Sequence, residues 1–251
     1  MSQETLHLAN APIIEAVLDI ECDFGPAFEL AALEEPSRQR FCDRYPKVRT
    51  QFMQELQIEA KPVGPIGHST RQGVQAYQFV NEDEMQIVQV RGAGYSFNRL
   101  APYTSFDDYL PEIRRTWEVY RELAAPVQIR TVRLRYINRI LLPLTEGRVQ
   151  LDDYFKIGPR LPDEDRLTFV GFLNQCLAVE EATGHQVTTV LTAQRQQEAA
   201  LPVIFDNTVT AVSSADPADW AWLEAKLLAL RALKNRVFKN TLSDKCLNLF
   251  Q

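Results

Sequence analysis

Few residues in this 251-residue chain have the types and spacing that chemistry requires. Glu59-Ala60-Lys61, with Asp43 upstream, has the letters of a metal-dependent nuclease core. Carboxylates there hold Mg²⁺ while the lysine supports charge at the attacked phosphate. The match is three letters long, and such matches arise often by chance. His68-Ser69-Thr70 sets a histidine beside a serine, but triad partners meet in space rather than by adjacency, so it reads as a polar loop. The three histidines (His7, His68, His185) and four cysteines (Cys22, Cys42, Cys176, Cys246) do not fall at zinc-ligand spacing. No glycine-rich phosphate cradle and no G-x-S-x-G nucleophile elbow is present. The acidic stretches Glu82-Asp83-Glu84 and Asp163-Glu164-Asp165 lack the spaced ligands and central glycine of a calcium loop. The expectation is a chain without a catalytic constellation, metal site or cofactor.

What remains is a row of arginines, Arg133, Arg135 and Arg139. They lie in Thr131–Leu142 (TVRLRYINRILL), the longest two-residue alternation in the sequence. Side chains of a strand point alternately to opposite faces. Val132, Leu134, Tyr136, Ile140 and Leu142 therefore share one face, and the arginines share the other with Ile137. Guanidinium groups two residues apart stand about 7 Å from each other, a spacing suited to carboxylates or phosphates. The three arginines are the anion- or partner-binding candidates. The competing expectation is internal pairing, because Pro12–Phe24 alternates with the same period and places Glu15, Asp19 and Glu21 on its polar face. Asn138 and Tyr136, on the apolar side, read as packing and hydrogen-bonding groups.

The elements that position these strands follow from local signals. Phe28–Tyr45 is a helical region interrupted by Pro36, with Leu33, Phe41, Cys42 and Tyr45 facing inward. Leu56–Lys61 is a short strand closed by Pro62. Val74–Asn81 and Met85–Arg91 form a hairpin with a polar tip, and Tyr95–Leu100 is a further strand. Ser105 caps a helix whose stripe is Phe106, Leu110, Ile113, Trp117 and Tyr120. Leu151–Phe155 is one helical turn in a long connection. Leu167–Glu180, Gln186–Gln194 and Val203–Ala211 are strands. A long helix opens with Asp216 as cap and Pro217 at its first position, with a stripe of Trp220, Leu223, Leu227, Leu230 and Val237 and with Leu233 and Phe238 beside it. Thr241–Asp244 caps a short terminal helix. The fold class is α+β: an antiparallel β-sheet covered by two long amphipathic helices. Residues 1–125 and 126–251 are two halves of one continuous domain, with the order of a duplicated β-α-β-β-β-α unit.

A net charge of −6 argues against nucleic acid as a partner, since phosphate neutralisation needs a basic surface. The start has no basic then apolar signal region, and no apolar run reaches the ~18 residues of a membrane span. The cysteines then read as reduced, mostly buried thiols of a cytoplasmic protein.

Three motifs carry a resemblance. They are Asn10-Ala-Pro-Ile-Ile-Glu-Ala-Val17, Arg135-Tyr-Ile-Asn-Arg-Ile140, and the C-terminal pair Asn235-Arg-Val-Phe238 with Leu242-Ser-Asp244. By these the chain resembles, over its whole length, a sporadically distributed family of bacterial proteins. The resemblance implies a bacterial cytoplasmic accessory protein of a mobile or defence-associated gene set, and it carries over no catalytic residues. The expected function is non-enzymatic binding through a protein partner or self-association, as in a homodimer. The alternatives are a small-molecule-binding protein with a pocket between sheet and helices, and the nuclease.

Overall fold

A computed structural model describes residues 8–59, 67–160, 166–167, 170–197 and 199–251. Nine strands form one sheet: β1 (Ile13–Asp23), β2 (Lys47–Glu59), β3 (Gly67–Val80), β4 (Gln86–Arg91), β5 (Gly94–Leu100), β6 (Gln128–Pro143), β7 (Leu173–Val179), β8 (Gln186–Ala193) and β9 (Ala200–Ala215). Their spatial order is β2-β3-β4-β5-β1-β6-β9-β8-β7, and each neighbouring pair is antiparallel. The two alternating strands, β1 and β6, are therefore adjacent at the middle of the sheet. The helices are α1 (Glu34–Phe41), α2 (Phe106–Ala124), α3 (Trp220–Thr241) and α4 (Asp244–Leu247).

Alternation decides which face is covered. Leu18, Leu134, Val209 and Val187 stand in register across β1, β6, β9 and β8, and all are buried. Phe97, Val88 and Phe79 continue that row through β5, β4 and β3. The helical stripes pack on this face: Trp117 and Tyr120 of α2, and Leu223, Leu227 and Leu230 of α3, join the same core. A second cluster closes its far end with Ile140, Phe205, Phe238, Leu242 and Phe250. The residues between them in sequence, Glu15, Val17, Asp19 and Glu21 on β1, point to the uncovered face and are only partly buried.

Local chemistry fixes how the pieces join. Gly94 opens β5 with φ +146°, and a Cβ there would lie 2.0 Å from the Ile20 carbonyl oxygen, so only glycine lets β5 close on β1. Ser105 caps α2 by accepting from the Asp107 amide at 3.2 Å. Pro36 falls in the first turn of α1, where an amide has no intrahelical acceptor, so the helix begins around it rather than breaking there.

Several expectations need correction. The α3 cap is Asp219, whose side chain accepts from the Trp222 amide at 2.9 Å, while Asp216 accepts from Ala218 within the preceding turn. Pro217 thus precedes the helix rather than starting it. On α3 the buried stripe runs through Leu233 and Phe238, with Val237 beside it. Cys42 and Cys176 are exposed; Cys22 and Cys246 are buried. Strand β2 starts nine residues before the expected Leu56, and Lys61 lies outside the described residues. Strand β7 starts at Leu173 rather than Leu167. Four strands follow the first crossover and three the second, so the first half departs from the expected order by one strand.

Candidate functional site

The uncovered face is built from the register of β1 on β6, which sets Val17 opposite Arg135 and Asp19 opposite Arg133. The Arg133 guanidinium reaches Asp19 at 3.9 Å and Glu21 at 3.5 Å. Asp19 is also held by Arg91 at 3.2 Å and accepts from the Ser96 hydroxyl at 2.5 Å. Glu21 accepts from Thr131 at 3.0 Å. Arg135 makes two bonds, of 2.9 and 2.5 Å, to Oδ2 of Asp206 on β9, and these raise its pKa further above the usual arginine value. Arg139 donates to Gln194 at 3.3 Å.

The polar ladder continues away from the arginines. Asn98 donates to Glu15 at 2.7 Å, and Gln89 donates to Asn98 at 2.9 Å. Five strands, from β4 to β9, are thereby linked by side chains on one face. Opposite charges across strands stabilise by only about 0.2–1 kcal/mol per pair. The side chains of Arg133 and Arg135 keep 35% and 46% of their surface exposed. Both guanidinium groups are held by carboxylates of the fold and stay partly open to solvent.

The covered face holds a polar group that alternation and charge alone did not reveal. Lys234 of α3 is 8% exposed, and its Nζ sits 3.7 Å from the centre of the Tyr136 ring. Burial, aided by the nearby Arg231 charge, pushes its pKa down to about 7. Asn207 on β9 donates to the Lys234 carbonyl at 3.0 Å, clamping strand to helix, and its own Oδ1 is buried without a partner. Asn138 donates to the Phe205 carbonyl at 2.9 Å, and Tyr136 lies 3.3 Å from Tyr103, hydroxyl to hydroxyl. The legible signal was spacing: Lys234 falls on the Leu223–Leu227–Leu230 stripe. The Arg-Tyr-Ile-Asn-Arg segment is therefore split, with Tyr136 and Asn138 bracing the core and Arg135 and Arg139 on the uncovered face.

Other sequence candidates are dispersed. Asp43 is exposed after α1, 4.0 Å from Arg115. Glu59 ends β2, and its presumed partner Lys61 is outside the described residues. His68 is on β3, while His185 packs near Glu180 and Lys226, its pKa lowered by burial and by the lysine. Among the described residues no group of three or more His, Cys, Asp or Glu is placed to hold a metal ion. The hollow between the sheet and α2, lined by Phe97, Tyr103 and Tyr136, is about 20 Å³, enough for a water. Hollows of about 470 and 490 Å³ lie instead at the loop around Arg148 and Gln150. No described helix is long and apolar enough to cross a membrane. Comparison with protein-family models, curated proteins and solved structures gave no match to this chain.

Proposed function

We propose that the chain is a non-enzymatic binding protein whose uncovered sheet face docks a protein partner, with Arg133, Arg135 and Arg139 as contact residues. One observation carries this reading: among the described residues the core-packing helices lie on one face of a nine-stranded sheet, and no described helix covers the hydrogen-bonded face of mixed charge on the other side. A preorganised face of this kind loses little side-chain freedom on binding. Its balanced charges suit a protein surface better than a polyanion. Following the sequence resemblance, the proposed setting is the bacterial cytoplasm, as an accessory to a mobile or defence gene set. The adjacency of β1 and β6, each followed by a crossover to an edge and strands stepping back inward, supports descent of the halves from one duplicated unit.

The small-molecule alternative has one observation in its favour, the hollow of about 470 Å³ bordered by Arg148, Gln150, Asp152 and Phe172. Purification from the native host followed by native and denaturing mass spectrometry separates the readings. A second polypeptide of different sequence retained in the native ion is the expected result. A retained small molecule, or copies of this chain alone, would overturn the docking reading.

A further inference from the structure

We infer that the chain forms a two-fold homodimer by antiparallel pairing of β7 with β7 of a second copy. Among the described residues β7 is hydrogen-bonded to β8 alone and ends the sheet, and no described strand pairs with its outer edge. Sheet edges in monomers are usually blocked by charge, proline or a bulge. Strand β7 (LNQCLAV) contains no charge and no proline, and its pairing with β8 runs without a register shift. Its side chains are open: Leu173, Leu177 and Val179 are 68%, 73% and 60% exposed.

The occupant follows from the strand's own pattern. Antiparallel pairing centred on Cys176 sets Leu173 against Val179 of the second copy and Gln175 against Leu177. Leu173, Leu177 and Val179 share one strand face, so the two copies would complete a single apolar stripe across the seam. No like charges meet. Glu180, the first charged residue after the strand, is already engaged by Arg236 and Thr183. The other edge, β2, carries Lys47 and Arg49, charges that disfavour a β7–β2 contact and a growing filament. Assembly therefore closes at two.

The test uses the full chain with Cys42→Ser, which leaves Cys176 as the exposed thiol. Sedimentation at high micromolar concentration should give twice the 28.7 kDa chain mass. Diamide should then produce a disulfide-linked dimer on a non-reducing gel, abolished by Cys176→Ser while sedimentation stays dimeric. Leu177→Lys, which puts a charge on an exposed edge position, should sediment as a folded monomer with an unchanged melting temperature. A monomeric parent, a dimer that survives Leu177→Lys, or a dimer without the Cys176 cross-link would overturn the inference. Leu177 stands on the arginine-bearing face, in register with Thr188, Thr208 and Arg135, but these measurements use the purified chain alone, so their outcome is read separately from docking of another protein.

Discussion

At the level of single residues, each of the two sheet faces holds one charged arrangement. On the open face, Arg133 stands between Asp19 and Glu21 from the first strand, while Arg135 turns the other way to Asp206. A double-mutant cycle removing Arg133 and Glu21 should return a coupling of about 0.2–1 kcal/mol in denaturant melts, in line with a half-exposed pair. A coupling well above that would mean the pair is structural, not exchangeable. On the covered face, Lys234 has a folded pKa near 7 against an ordinary 10.5. Between those values the unfolded chain binds more protons, so stability rises with pH through that window and the full penalty is present below pH 7. Lys234→Met should stabilise by about 1–4 kcal/mol at pH 7. The advantage should shrink as pH climbs toward 10.5, read from unfolding curves at several pH values. A variant less stable at every pH would show the amine satisfied by the fold.

The elements were legible wherever a local rule dominated. Two-residue alternation marked β1 within one residue at each end and β6 within one residue at its end but three at its start, and Ser105 marked the start of α2. Asp216-Pro217 has the composition of a cap at the α3 start, yet Asp216 closes its own turn and leaves Asp219 to accept from the helix. Asp219→Ala should therefore cost about 0.5–2 kcal/mol and Asp216→Ala clearly less, measured by thermal melts. Equal losses would restore the earlier start. The same helix should depend on Leu227, which is fully buried; Leu227→Ala should cost about 2–5 kcal/mol. Which carboxylate each arginine takes was not legible, because strand order and register are set by long-range pairing. A lysine on an apolar stripe has the composition of a surface position, and only the seating of α3 on the sheet buries Lys234.

For the whole molecule, the consequence of the strand order is asymmetry. Core-packing helices gather on one side, the charged ladder lies on the other, and β7 ends the sheet among the described residues. The central claim is that the ladder side meets a protein. The most direct measurement is photocross-linking in the native host from a reactive side chain at Thr208, on the open face beside Arg135, compared with one at Ala225 on the outer surface of α3. The account predicts one discrete adduct with another protein from Thr208, weakened by Arg135→Glu, and none from Ala225. No adduct from Thr208, or the same adduct from both positions, would contradict it.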